Sequence, residues 1–190
     1  TAAAVLRAFG LDAVQMGRVV DVMANAFTQS ALTVETYGEA MKYAAPLAKA
    51  AGVSIEETSA MLGILADNGL RGSIAGTSLR RIFTELAKSG KTMQEIFADA
   101  GASTAFLADT LGTADDAVGK YALSAFVILA KNAALIEENT VSYGRVGTAA
   151  QIASEQLQTQ TNTVKILASA WEKFILGIEN GEGALGTLFK

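Results

Sequence analysis

Three pairs of adjacent carboxylates are the residues of this sequence that could do acid–base chemistry or hold a metal ion. They are Glu56–Glu57, Asp115–Asp116 and Glu137–Glu138. Successive residues of a helix point about 100° apart, so no pair converges on one ion by itself. The first two pairs fall in predicted first helical turns, where a carboxylate meets the positive end of the helix dipole. We therefore interpret them as residues that begin helices.

Three further patterns imitate binding motifs. The sequence "GEGALG" at 181–186 has the G-x-G-x-x-G spacing, but the segment before it is helical in pattern, whereas a nucleotide-binding loop follows a strand. Arg80–Arg81 could grip an anion, although a solvated or salt-bridged helix face is the simpler interpretation. Gly72 and Gly76 form a G-x-x-x-G in polar surroundings, which indicates a close helix contact or a flexible loop.

Histidine and cysteine are absent from the 190 residues. Their absence removes the commonest general base near neutral pH, thiolate nucleophiles, disulfides and most zinc ligands. The net charge is −4 and no run of Lys or Arg occurs, so the sequence also lacks the basic stripe that phosphate backbones require. We expect no enzymatic activity, cofactor, metal or direct nucleic-acid binding in this segment.

Helix signals recur along the chain. Hydrophobic residues make up 51% of the sequence and aromatic residues only 7%, which favours close-packed helices over sheets. No segment alternates with a period of two. Three capping boxes, in which two side chains satisfy free N–H groups at a helix start, are predicted at Asp12 with Gln15, Ser54 with Glu57, and Thr92 with Glu95. The sequence predicts an all-α protein: a multi-helix bundle of short capped helices followed by one long C-terminal helix.

Two details of the bundle are also predicted. Pro46 lies inside a helical pattern, so we expect a kink or break near Ala45. Residues 117–130 are apolar nearly all round, as expected of a helix at the centre of a bundle. Their most apolar part, "YALSAFVILA", is about half the length that a bilayer span requires.

The chain divides into three predicted parts. Residues 1–140 form a compact bundle with two similar capped helix-loop-helix units, which match at a constant offset of 42 residues. Residues 141–180 form a long helix with a heptad pattern, which packs on the bundle or on another chain. Residues 181–190 are a flexible Gly-rich end. Because the chain begins at Thr1 without a methionine or a leader, we expect it to be a fragment of a longer protein.

The long helix carries a candidate packing seam, because apolar residues recur every seven positions with others offset between them. Two interpretations remain open: a long helix that packs on its own domain, or a seam between chains. The candidate helix-packing or oligomer seam consists of Ala150, Leu157, Val164, Leu167, Trp171, Phe174 and Ile178.

Three stretches resemble the core region of phage tail tape measure proteins, of the type carried by phages or prophages of Bacteroidetes-like hosts. They are "LRAFGLDAVQMGRVVDVMANAF", "YAAPLAKAAGVSIEETSAMLGILADNGLRGSIAGTSLRRIF" and "SAWEKFILGIENGEG". The resemblance covers most of the chain, and the second stretch is long enough to be specific.

The resemblance implies a structural role. Proteins of this family are long helical chains that occupy the tail tube, set its length and depend on tail assembly chaperones. It therefore implies tube protein and chaperones as partners, and a location in the virion tail and, during assembly, in the host cytoplasm. The alternative function is a helical module that perturbs membranes or cell walls during genome delivery, based on "YALSAFVILA" and "WEKFILGI".

Overall fold

A computed structural model describes residues 1–98 and 117–179, with side chains for 1–98 and 119–169. Within these ranges all regular structure is helical, which confirms the predicted all-α class. Asp115–Asp116 and the predicted Gly-rich end at 181–190 lie outside the described residues.

A short 3₁₀ helix, Ala13–Gln15, precedes the second α-helix. The α-helices are α1 (Ala2–Phe9), α2 (Met16–Gln29), α3 (Val34–Ala50), α4 (Ile55–Asp67), α5 (Gly72–Ser89), α6 (Met93–Ala98), α7 (Ala117–Lys131), α8 (Ala133–Tyr143) and α9 (Thr148–Glu179).

The chain forms two compact units, residues 1–149 and residues 150–190. In the first unit α4 is the central helix, since it is buried nearly all round and packs against α2, α3, α5, α7 and α8. The sequence had indicated residues 117–130 for this position. That expectation is wrong, because α7 exposes part of Tyr121, Leu123 and Val127 while it buries Phe126 and Leu129.

The most extensive helix contact in the first unit joins α3 and α5. A Cβ added at Gly76 would lie against the carbonyl oxygen of Ala40 and 2.7 Å from its Cα atom, so the two backbones touch here. Gly72 faces the same helix, where an added Cβ would lie 2.6 Å from the Glu39 carboxylate. The G-x-x-x-G pattern therefore marks a close contact between helices, one of the two interpretations that the sequence left open.

Helix α3 continues through Pro46 to Ala50, so the break that was one expected outcome near Ala45 does not occur. Pro46 lies on the exposed side of α3, whereas Ala44, Ala45 and Ala48 are fully buried. Proline withholds one N–H from the carbonyl four residues earlier. Because this site faces solvent, water can bond to the Lys42 carbonyl while the buried alanines hold the helix in place.

Among the described residues, no single helix has the length and apolar character to cross a membrane. Two consecutive helical segments reach that length and apolar character only when they are taken together, Gly119–Lys131 and Ala133–Tyr143. The chain bends by 80° between them. The buried side chains of α7, including Ala125 and Phe126, pack into the core of the first unit. Most of the run "YALSAFVILA" therefore faces other helices of this chain.

Helix α9 continues into the second unit. From residue 150 to 169 every side chain is exposed except that of Ile152, which is half-buried. Residues 141–143, which the sequence placed in the long helix, complete α8, and α9 itself begins at Thr148.

Candidate functional site

Of the carboxylate pairs that could have done chemistry, Glu56 and Glu57 each contact a partner from another helix. Glu56 pairs with Arg18, and Glu57 accepts a hydrogen bond from the Gln94 amide at 3.1 Å. Glu137–Glu138 are exposed on α8 and border a shallow open groove beside Gln29 and Arg145. Across the described part of the chain no three acidic side chains are grouped as metal ligands would be. Of the two arginines, Arg80 is exposed and Arg81 is half-buried on α5.

The predicted cap residues lie at helix starts. The Asp12 N–H donates to the Gln15 side chain at 3.2 Å at the start of the 3₁₀ helix. At Thr92 and Glu95 the exchange is reciprocal: the Thr92 N–H donates to the Glu95 carboxylate at 2.7 Å, and the Glu95 N–H donates to the Thr92 hydroxyl at 3.2 Å. These bonds use N–H groups that helix starts leave without intrahelical partners.

Ser54 and Glu57 make only half of such an exchange. The Glu57 N–H donates to the Ser54 hydroxyl at 3.1 Å, while the Glu57 carboxylate reaches out of the helix to Gln94. Ser54 therefore caps α4 in the usual way. The hydrogen bond between Gln94 and Glu57 connects the start of α4 with α6.

The ion pair between Arg18 of α2 and Glu56 of α4 is bidentate. Arg18 Nε donates to Glu56 Oε1 at 2.6 Å, and Nη2 donates to Oε2 at 2.8 Å. The Glu56 side chain is 10% exposed and that of Arg18 is 43% exposed. Burial raises the Glu56 pKa, but hydrogen bonds from Arg18 and from its own backbone outweigh it and leave the pKa below its ordinary value.

The pKa of neighbouring Glu57 is shifted in the opposite direction, above its ordinary value. Burial raises its pKa, and the hydrogen bond from Gln94 only partly offsets this effect. The lowered Glu56 pKa contributes stability above about pH 4.3, the ordinary value for Glu, and loses it as the pH falls through the folded-state value. The raised Glu57 pKa costs stability at neutral pH, and this cost disappears as the carboxyl becomes protonated.

We predict that Glu56→Gln lowers the free energy of unfolding by about 1–3 kcal/mol at pH 7, because the amide keeps only one of the two acceptor oxygens that Arg18 uses and removes the negative charge. Glu57→Gln is the matched control, and it should leave stability unchanged or slightly raised. Urea unfolding at pH 7 and again at pH 4 measures both, and the difference between wild type and Glu56→Gln should shrink at pH 4. Equal losses in the two variants would contradict this assignment.

The predicted seam residues of α9 are exposed as far as they are described. Leu157, Val164 and Leu167 are 64%, 66% and 71% exposed, and Ala150 is also exposed. The side chains of Trp171, Phe174 and Ile178 lie outside the described residues.

A polar site that the sequence reading missed lies at the start of α9. Asp21 of α2 is 8% exposed, and its two carboxylate oxygens accept hydrogen bonds from the N–H groups of Gly147 and Ala149, both at 2.9 Å. The Gly147 N–H directly precedes α9 and the Ala149 N–H lies in its first turn, where a negative charge is also favoured by the helix dipole. Asp21 thus caps α9 from a different helix.

Asn25, one turn further along α2, completes this junction, by which we mean Asp21 and Asn25 together with residues 143–149, which include the turn 144–147 and the helix ends beside it. The Asn25 amide donates to the carbonyl of Tyr143 at 3.3 Å and to the hydroxyl of Thr148 at 3.2 Å. It therefore contacts the last residue of α8 and the first residue of α9. Gln29, a further turn along, donates to Asn25 at 3.3 Å and accepts from Ser142 at 3.1 Å.

The junction had one signal in the sequence. Asp21, Asn25 and Gln29 recur every four residues and so lie on one face of a helix. Such a polar row is also typical of a solvated face. Its partners lie more than a hundred residues away, and the sequence by itself does not identify them.

Tyr143 anchors the junction in the core. Its side chain is fully buried, and a Cβ added at Gly63 of α4 would lie 2.9 Å from its hydroxyl. Burial first, and then the charge of Asp67, raise the pKa of Tyr143 to about 12. Ser30 lies beside the hydroxyl, yet no side chain or backbone group described here meets it in hydrogen-bonding geometry.

A profile of the phage-related minor tail protein family matches residues 1–125. The tape measure protein of Pneumococcus phage Dp-1 is 47% identical over 98 residues, which is 52% of this chain and 8% of that protein. The probable tape measure protein of Escherichia phage P2 is 42% identical over 85 residues, which is 44% of this chain and 10% of that protein.

The match thus spans about a tenth or less of the length of these curated relatives. No solved structure matches the chain. The family profile covers the helices from α1 to α6 and enters α7, which is most of the bundle described above. On this evidence the chain belongs to the phage-related minor tail protein family.

Proposed function

We propose that this chain is a non-catalytic structural and assembly segment of a phage tail tape measure protein, acting in tail tube assembly and tail length determination. The observation that carries the proposal is the family match over residues 1–125, together with two relatives that are themselves described as tape measure proteins. The sequence supports the absence of catalysis, because it contains neither histidine nor cysteine.

The fold suggests how such a segment acts. A continuous helix of this length would reach about 285 Å at 1.5 Å per residue. Residues 1–98 instead form six short helices that share one core. We propose that the bundle is an assembly or docking element, and that most of the ruler length lies in other parts of the protein.

The exposed face of α9 supports self-association as part of this role. Leu157, Val164 and Leu167 follow heptad spacing and are more than half exposed. Between residues 150 and 169 only Glu155 and Lys165 are charged, so two copies of this face would not repel each other. Light scattering on the purified chain tests the interchain seam, and a strict monomer at high concentration would count against it.

The partners, the location during assembly and the type of host are proposed from the family resemblance. We propose tube protein and tail assembly chaperones as partners, the host cytoplasm as the location during assembly, and a phage or prophage of a Bacteroidetes-type host as the source. Co-purification of the chain with tail assembly chaperones tests the first of these.

The second candidate function is perturbation of membranes or cell walls during genome delivery. It is favoured by the bent pair Gly119–Lys131 and Ala133–Tyr143, which together have the length and apolar character of a membrane span. The buried side of α7 argues against it, since insertion would expose the core of the bundle. A soluble chain that leaves dye-loaded vesicles intact would remove this candidate.

The decisive experiment is the measurement of tail length by electron microscopy in a phage that carries an in-frame deletion of this segment. If the segment acts as an assembly element, we expect no tails or tails of uncontrolled length. If it is extended within the tube, tails should be uniformly shorter, by about 285 Å for a helical segment.

A deletion of residues 150–177 provides the matched control, because it removes four heptads and leaves the first unit intact. It should shorten an extended ruler by about 42 Å. Normal numbers of tails with unchanged length in both deletion phages would contradict the proposed function.

A further inference from the structure

We propose that the turn between α8 and α9 is a releasable junction, at which Asp21 and Asn25 of α2 hold apart two helices that otherwise join into one. This inference concerns the conformations of the chain itself and does not depend on the proposed function.

One residue of the turn has a backbone conformation that a helix does not contain. Gly147 has a φ of +88°, in the left-handed region, whereas Gly144 at φ −74° and ψ 0° stays in the right-handed region. No non-glycine residue in the described part of the chain has a positive φ. Gly147 must therefore change its φ before α8 and α9 can join across the four-residue turn.

The hydrogen bonds at the turn show what α2 contributes. In a continuous helix the N–H of Gly147 would donate to the carbonyl of Tyr143, four residues earlier. In the structure α2 satisfies both groups separately: Asp21 accepts from the Gly147 N–H at 2.9 Å, and Asn25 donates to the Tyr143 carbonyl at 3.3 Å. Asp21 also accepts from the Ala149 N–H, which a continuous helix would pair with Arg145. The two side chains thus replace bonds that the joined helix would make for itself.

Little apolar packing opposes the joined form. Val146 in the turn is 90% exposed, and from residue 150 onward the described side chains of α9 are exposed apart from Ile152. The anchors of α8 in the core, Ile136 and Tyr143, precede the turn and can stay in place. What holds the turn is the polar contact with α2.

Release of the junction changes the shape that the chain offers to a partner. A helix from Ala133 to Glu179 would be about 70 Å long. A partner that binds the joined helix more tightly than the turned form would shift the chain toward it. The exposed seam of α9 is the part of that helix available to such a partner.

The test is the Gly147→Ala variant of the 190-residue chain, studied by NMR. A Cβ at this position would meet no atom within 4 Å, so the substitution acts only on the backbone conformation. Alanine disfavours the left-handed turn and favours helix. We expect the Cα chemical shifts of residues 144–147 to become helical and their amide exchange to slow by about tenfold or more.

Gly52→Ala is the matched control, because Gly52 also has a positive φ, is exposed and has open space around it. It should leave the signals of residues 144–147 unchanged. Asp21→Asn provides the second variant, which weakens the contact from the side of α2 and should shift the same signals in the same direction.

Three results would overturn the inference. The first is a folded Gly147→Ala chain whose residues 144–147 keep the chemical shifts of the wild type. The second is an Asp21→Asn chain with unchanged signals at the turn. The third is loss of folding in Gly147→Ala while Gly52→Ala folds, since the inference requires the bundle to survive without this turn.

Discussion

Gly76→Ala is expected to lower the free energy of unfolding by about 3 kcal/mol, the upper end of the usual range for overpacking. The new methyl group would lie against the Ala40 carbonyl oxygen and 2.7 Å from the Ala40 Cα atom. These are backbone atoms, so no side chain can rotate away and the two helices must separate. Chemical denaturation measures the loss, and the melting temperature should fall by about 6–12 °C for a chain of this size.

Gly17→Ala is the matched control for Gly76→Ala. Gly17 is also a helical glycine, in the first turn of α2, but an added Cβ there meets nothing within 4 Å. The control should gain stability, by up to about 1 kcal/mol, because alanine favours helix over glycine. If both variants lose the same amount, the α3–α5 contact is looser than its geometry indicates.

The second large effect is expected at Tyr143. Tyr143→Ala should lower the free energy of unfolding by about 3–5 kcal/mol, as truncation of buried aromatic residues generally does. The ring is fully buried, and its loss leaves a cavity beside Gly63 and Ser30. Urea unfolding monitored by circular dichroism gives the value.

Tyr143→Phe separates the ring from the hydroxyl. The hydroxyl is buried with no hydrogen-bond partner within the described residues, and a buried polar group of this kind is destabilising. The phenylalanine variant should therefore equal the wild type or exceed it by about 1 kcal/mol. A loss as large as that of Tyr143→Ala would show that the hydroxyl is bonded in solution.

The helical class and the helix starts could be predicted from the sequence. Residues such as Ser54 and Thr92 act on N–H groups within three positions of themselves, so their effect is local. The absence of histidine and cysteine is likewise a property of the sequence and needs no structure. Helical geometry predicted that adjacent carboxylates would not converge on one ion, and in the described part of the chain Glu56 and Glu57 have separate partners.

The packing arrangement could not be predicted in the same way. Residues 117–130 are the more apolar candidate for the central helix, yet α4, which includes Glu56, Thr58 and Ser59, occupies the centre. Its polar side chains can be buried because partners from elsewhere in the fold meet two of them: Arg18 bonds to Glu56, and the Tyr37 hydroxyl lies 2.9 Å from that of Ser59. The choice of the central helix thus depends on partners that are remote in the chain.

The sequence by itself determined what each segment does locally: where helices begin, which faces are apolar, and which chemistry the residue types exclude. Only the tertiary structure decided that Gly76 is a contact point and that Asp21 caps a helix that begins at Thr148. The physical reason is the separation along the chain between the residues that interact. Caps and helical periodicity act over three or four residues, whereas the bond from Gly147 to Asp21 joins groups 126 residues apart and forms only when the chain has folded.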